Sequence, residues 1–289
     1  AQGLIWGIMA IGVYITFRIL DIADLTVDGS ICTGAAVCTM LMINGTPVWL
    51  ALIAATVAGL IAGALTGTLH IVFGIPAILS GILTQLVLWS VNLKIMGKAN
   101  RPLSARSFGV LISQMNIPAA IGILAVCSVL LVVLLYLFFG TELGASIRST
   151  GINAAMSRAQ GINTDVRKLM GLSLSNGIVA FSGALLCQYQ GYTDINMGRG
   201  AVVIGLAAVV IGEAVISKLP SNFAVRLVGV IIGAIIYYIV YQVIIFFGLD
   251  PDLLKMFSAI VVAVFLGTPY VKRKISANRG IQKEGKKNA

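Results

Sequence analysis

The stretch Arg18–Gly34, RILDIADLTVDGSICTG, holds Asp21, Asp24 and Asp28, three of the ten acidic residues in a chain of 289. Apolar runs flank it on both sides. Another carboxylate, Glu213, stands in AAVVIGEAVISK, near the end of a second apolar run. Carboxylates in such surroundings are expensive unless paired, hydrated or used. Two uses fit them: holding a coupling cation or proton, or lining a wet path for a polar solute. Other chemistry finds little support. His70 is the only histidine, which excludes a histidine metal cluster within one chain. Cys32, Cys38, Cys127 and Cys187 lie in apolar runs without a CxxC pair, and read as small buried hydrophobes. No Ser–His–Asp or Cys–His set stands out, and no GxxxxGK[ST] phosphate loop occurs.

The elements that must position these carboxylates are membrane spans. The chain is 58% hydrophobic and 10% charged, against roughly 25% charged residues in a soluble domain. Several runs approach the roughly 20 apolar residues that a spanning helix needs. The expectation is an all-α, polytopic transmembrane bundle of eight or nine segments. They fall near 3–20, 29–43, 48–69, 75–93, 118–140, 168–188, 200–217, 223–247 and 254–269. Turn signals separate them, among them Asn44-Gly45-Thr46-Pro47, Gly74-Ile75-Pro76 and Asn116-Ile117-Pro118. The first run lacks a basic n-region and a small-residue cleavage site, so it reads as a span and not a cleaved leader. Gly59, Gly63 and Gly67, and again Gly229 and Gly233, recur every four residues and predict close helix packing.

The run after Asp28 is short. Gly29–Ile43 rises about 22 Å at 1.5 Å per residue, against a hydrocarbon core of about 30 Å. The second helix is therefore expected to be discontinuous, with Asp24, Asp28, Ser30 and Thr33 beside its start and Ser30 or Asp28 as its cap. Irregular backbone at membrane depth is tolerated only against protein or a water-filled cavity. The plainer reading is a short cytoplasmic loop with three solvated aspartates, Arg18 pairing Asp21. Glu213 either lines the inner mouth of a path or sits at an interface.

Charge sets the orientation. The net charge is +10, and seven of the twenty basic residues crowd the tail from Lys272 to Lys287. Segments 141–167 and 270–289 are four spans apart and share a side, which the positive-inside bias places in the cytoplasm. Such a basic tail suits a membrane protein's cytoplasmic end and not nucleic-acid binding. The loop 94–117 then lies outside, yet it carries Lys94, Lys98, Arg101 and Arg106 and no acid. Either these four charges are outvoted, or they form a docking surface for an acidic external partner. The domain reading is a membrane domain over 1–270 and a basic tail over 271–289.

Residues 144–163, GASIRSTGINAAMSRAQGIN, narrow the class. They resemble the coupling segment, here about 148–163, of ATP-binding-cassette importer permeases of the branched-chain amino acid and ribose type. Arg148, Gly151, Asn153, Ala155, Gly161, Ile162 and Asn163 match or nearly match that pattern; Ser149-Thr150 departs from it. DLTVDGSICTGAA, Asp24–Ala36, resembles the family's stretch before its broken second helix, with an extra Asp28. Leu69–Asn100 and Gly205–Val215 resemble a Gram-positive branch sometimes linked to aromatic amino acid uptake. The likeness covers nearly the whole chain.

The resemblance implies a multi-pass subunit of a bacterial plasma membrane, C-terminus in the cytoplasm, working as a homodimer. Two cytoplasmic ATPase subunits would grip the coupling segments through Arg148, Gly151, Asn153, Ala154, Ala155, Arg158, Gly161 and Asn163. ATP and Mg would belong to those partners, and this chain would need no cofactor of its own. An external binding protein, often a lipoprotein, would deliver the solute and meet the basic loop. The solute would be an amino acid, aromatic or branched-chain, with a sugar or nucleoside as rivals. Two other classes stand beside this one. An ion- or proton-coupled carrier would use Asp21, Asp24, Asp28 and Glu213 as its ion sites, though no convincing inverted repeat is found. A membrane scaffold would leave the broken helix and the buried acids without a purpose.

Overall fold

The computed structural model describes residues 1–104, 109–217 and 222–246, together with residue 263. Helix α1, Gln2–Tyr14, continues into a wider π-turn over Ile15–Ile19. Irregular chain follows to Thr26, and α2 then runs over Val27–Ile43. Next come α3, Val48–Ile71; α4, Ala77–Met96; and α5, Ile117–Gly140. Two short helices follow, α6 over Glu142–Ile152 and α7 over Ala154–Ala159. The remainder are α8, Thr164–Gln190; α9, Ala201–Ile216; and α10, Phe223–Phe246.

The boundaries follow local chemistry. Pro47 and Pro76 stand just before α3 and α4, where a missing N–H costs nothing. Gly97 and Gly191 end α4 and α8 in the left-handed conformation, at φ 69° and 77°. Asn163 opens α8 four residues before the expected start, its Oδ1 accepting from the N–H groups of Asp165 and Val166 at 3.2 Å each.

Six of the helices among the described residues are long and apolar enough to span a membrane. Val27–Ile43 and Ala201–Ile216 are apolar but shorter. This is an all-α polytopic membrane protein. The expected segment 254–269, the tail 271–289 and Arg106 lie outside the described residues.

α1 is buried all round from Ile5 to Tyr14 and forms the centre with α2 and α8. α4 and α5 expose apolar rows instead, including Val87, Val126 and Val129, as a helix facing lipid must. The predicted glycine stripe is where α3 crosses α8. A Cβ on Gly59 would fall on the Asn176 carbonyl, one on Gly63 on the Leu172 carbonyl, and one on Gly67 on the Leu169 side chain. Gly34 of α2 meets the Ala180 carbonyl in the same manner, and Gly233 of α10 meets that of Ala208. Backbone contact of this kind is the chief source of helix association in lipid, where the apolar surroundings supply no hydrophobic drive.

The two ends of the bundle differ. At one end, Asn100–Pro102 pairs antiparallel with Tyr192–Asp194, Arg101 opposite Thr193. Leu103 N–H donates to the Gly191 carbonyl at 2.8 Å, which closes the loop after α4 over the end of α8. At the other end lie α6 and α7, joined to the bundle where α6 abuts the Ile19 carbonyl at Gly151.

Gly34→Val should cost at least about 1–3 kcal/mol, the usual penalty of overpacking, because the clash is with backbone and cannot repack. Gly122→Ala, which meets open space, should be neutral or raise stability by up to about 1 kcal/mol through helix propensity. Thermal melting of the detergent-purified protein compares the two.

Candidate functional site

Two helices begin inside the bundle, each beside an aspartate. Asp24 lies in the irregular segment before α2. Its Oδ1 accepts from the Thr26 N–H at 2.8 Å, and its Oδ2 from the Asn176 amide at 2.7 Å. Asn176 stands 12 residues into the 27-residue α8, so this contact lies near the middle of a full-length span. The Asn176 Oδ1 accepts in turn from the Ser30 hydroxyl at 2.6 Å. Thr26 and Thr66 share a hydrogen bond at 2.7 Å beside it. The cluster is buried, and each of these polar groups has a partner, as a dry interior requires.

Asp28 sits in the first turn of α2 but serves α9. Its two carboxylate oxygens accept from the Gly200 and Val202 N–H groups, at 2.9 Å each. The N-termini of α2 and α9 thus meet at one carboxylate. Both are positive ends of a helix dipole, so a negative charge there is favourable. The segment 191–200 dips back into the bundle to deliver α9. Cys32 fixes that dip by accepting from the Gly198 N–H at 3.2 Å and donating to the Ile195 carbonyl at 3.3 Å.

The expected path residues therefore divide. Asp24 and Ser30 are sealed in the Asn176 cluster, and the Thr33 hydroxyl donates to the Gly29 carbonyl of its own helix at 3.0 Å. Asp28 and Glu213 border open space. The second helix is short, an unbroken run of 17 residues after irregular chain, and its start is corrected in two ways. α2 begins at Val27 and not after Asp28. No side chain caps it: Asp28 and Ser30 are engaged with α9 and α8, and Asp24 closes the turn before the helix through the Thr26 N–H.

Glu213 is ion-paired with Arg18, whose Nε donates to Oε1 at 2.6 Å. Arg18 does not pair with Asp21, the partner that the plain-loop reading supposed. Asp21 is exposed and occupies the left-handed region at φ 56°. The Arg18–Glu213 pair closes one side of a cavity of about 480 Å³, lined also by Tyr14, Gly212, Ser217 and Arg226. This cavity lies at the α6–α7 end, since a second cavity next to it runs from Arg18 to Arg148 and Ile152.

The segment expected over 148–163 is two helices broken at Asn153. Asn153 is extended there, at φ −154°, and its Oδ1 accepts from the Met156 N–H at 3.0 Å to cap α7. Arg148 points inward, donating to the Phe139 carbonyl at 2.7 Å and lying 5.6 Å from the Phe223 ring centre. Gly151 is closed by the Ile19 carbonyl, so it serves packing. Ala155 and Arg158 are exposed, Ala154 is half-buried, and Gly161 turns at φ 81°. At the opposite end Lys94 and Lys98 are exposed and Arg101 is half-buried in its strand.

Sequence reasoning gave no role to Asn176, Ile152 and Met156, and gave Arg18 only a pairing with Asp21. Asn176, a lone amide in the apolar run of α8, and Arg18, a lone cation near the end of the first span, were both visible as polar residues out of place. Ile152 and Met156 were not, because their 86% and 60% exposure at the α6–α7 break shows only in three dimensions.

A polytopic helical membrane protein with two interior helix starts and a buried polar centre is built like a transport permease. The chain belongs to the family described as branched-chain amino acid transport system, permease component, which matches residues 1–267. It is 39% identical over 269 residues to the tyrosine transport system permease protein of Clostridioides difficile, covering 92% of this chain and 88% of that one. It is 34% identical over 276 residues to an uncharacterized protein of Rickettsia prowazekii, covering 94% and 96%. A fructose import permease protein of Bifidobacterium longum is 26% identical over 245 residues, 83% of this chain and 68% of its own. No solved structure matches the chain significantly. The chain is accordingly the permease subunit of an importer of the ATP-binding-cassette type, which displaces the ion-coupled carrier and scaffold readings.

Asn176→Ala should cost about 1–3 kcal/mol, because it strands Asp24 and Ser30 without their partner. Glu213→Ala should cost no more than about 1 kcal/mol, its ion pair being partly in water. Thermal melts of the two variants should separate accordingly; equal losses would refute the division between sealed and open carboxylates.

Proposed function

We propose that this permease carries an aromatic amino acid, as half of a homodimer driven by two cytoplasmic ATPase subunits and fed by an external binding protein. The observation that carries the substrate is the 39% identity, over 92% of this chain, to a permease named for tyrosine transport. ATP hydrolysis belongs to the partner subunits, and this chain supplies the path and the transmission of motion.

On this reading the α6–α7 end faces the cytoplasm, together with the basic tail 271–289, and residues 1–270 form the membrane domain. The ATPase would rest on the break at Asn153, where Ile152, Ala155, Met156 and Arg158 are exposed. Exposed apolar residues on a polar turn are the composition of a docking knob. Arg148, Gly151 and Asn163 would hold the knob in place rather than touch the ATPase. The other end would face outward and offer Lys94, Lys98, Arg101 and Arg106 to acidic groups of the binding protein. A sugar remains the second reading, supported by the fructose import relative.

The knob is tested with Ala155→Glu in the complex purified from its host and reconstituted in liposomes. ATP-driven uptake of labelled tyrosine should fall at least tenfold, with dimer size and melting temperature unchanged. Gly151 is a poor site for this test, since bulk there would displace α6 from Ile19. Normal uptake by Ala155→Glu would sink the coupling assignment. Uptake of fructose in place of tyrosine by the unaltered complex would move the substrate to the second reading.

A further inference from the structure

A cavity of about 230 Å³ lies between α2, α4 and the returning segment before α9. Asp28, Gly29 and Cys32 line it from α2, Ile195 and Arg199 from the returning segment, and Gln85, Leu86, Trp89 and Asn92 from α4. Its size is just below the roughly 300–1,000 Å³ of sites for drug-sized ligands, which suits one small solute.

Asn92 is the informative residue. It is fully buried, yet neither its amide nitrogen nor its amide oxygen has a hydrogen-bond partner. Buried side-chain amides are nearly always satisfied. This one borders the cavity wall with no surface open to it, so a turn of the side chain would bring its donor and acceptor to a ligand. A partner for both of its atoms would have to accept and donate.

The charges on the same walls narrow the choice. Arg199 is a cation at the exposed rim, and Asp28 is a carboxylate. Asp28 uses one contact on each oxygen for α9, which leaves further lone pairs for a donor. One cation and one anion on a small cavity complement a zwitterion better than a neutral polyol. Leu86, Trp89 and Ile195 supply an apolar wall, and the Trp89 ring can stack on an aromatic side chain.

We propose that this cavity binds the transported solute inside the permease as an α-amino acid zwitterion. Arg199 takes the carboxylate, Asp28 and the Asn92 amide oxygen take the ammonium group, and Trp89 takes an aromatic side chain. The inference rests on the amino acid reading above and adds to it a selective station within the permease, separate from the external binding protein.

The test uses the purified permease–ATPase complex without its binding protein, in lipid nanodiscs, with labelled L-tyrosine as probe and fructose as comparison. Saturable tyrosine binding is expected, with fructose unable to compete. Arg199→Gln and Asn92→Leu should each weaken it at least tenfold. Asn92→Leu should also keep or raise the melting temperature, since it removes an unpaired buried amide; a merely structural asparagine would lose stability instead. Unchanged affinity in both variants overturns the site. So does the absence of saturable binding in a wild-type complex whose ATP-driven tyrosine uptake is intact. A wild-type complex that moves no amino acid at all sinks the transport reading, and the site falls with it.

Discussion

The architecture depends on a single difficulty: two helices start part way along the bundle, packed against other helices. A helix N-terminus leaves four backbone N–H groups without partners, and hydrocarbon offers none. α2 and α9 both begin inside the bundle, so both need an internal acceptor. Asp28 serves α9, its carboxylate accepting from two backbone N–H groups, and Asp24 accepts from the Thr26 N–H in the turn before α2. The fully buried α1 and the neighbouring α8 keep lipid away from these starts. The same arrangement opens room, because short helices leave space where a full-length span would have continued. The cavity beside Asp28 is part of that space.

The polar contacts fall into two mechanical grades. The Asp24–Asn176–Ser30 cluster is dry, and breaking one of its members leaves the others unpaired, which makes it a fixed point. It also sits where the α3–α8 backbones touch, since the Asn176 carbonyl is the atom that Gly59 approaches. Packing and polar satisfaction therefore hold α2, α3 and α8 at one place. The Arg18–Glu213 pair is partly in solvent, with side-chain exposures of 49% and 33%. Pairs of that kind contribute roughly 0–1 kcal/mol, so opening this one is cheap. On the proposed transport role, alternating access would need a rigid body and a contact that yields, and the buried and exposed carboxylates would supply one each.

The shortness of the second helix was legible in sequence because fifteen apolar residues do not cross a bilayer. The glycine spacing of α3 was legible for a similar reason, as close approach requires small side chains at one helical period. The partners were not legible. Asp24 and Asn176 are 152 positions apart, Asp28 and Val202 are 174 apart, and Arg18 and Glu213 are 195 apart. Nothing local specifies such pairs. Local rules misled at Asp28, where a residue beside a helix start reads as that helix's own cap. A second interior start, at α9, decided otherwise. Its dip depends on a turn at residues 191–200 whose depth the sequence does not encode in any periodic pattern.

α6 and the buried polar centre are joined through the end of the first helix. α6 rests its Gly151 on the Ile19 carbonyl, the last residue of the π-turn, and Arg148 anchors it to Phe139 and Phe223. Leu20 follows directly and packs on Gly171, and four residues later the chain reaches Asp24. A π-turn is a wider and less stable winding than an α-helix and tends to occur at functional positions. Here it lies between a surface element and the fixed polar point, and it also carries Arg18. A displacement of α6 must be absorbed within residues 15–23, because Asp24 is held by Asn176. The softest contact along that stretch is the ion pair of Arg18 with Glu213. On the proposed coupling role of α6 and α7, force applied at the Asn153 break would therefore be spent first on the mouth of the 480 Å³ cavity, and only afterwards on the buried centre.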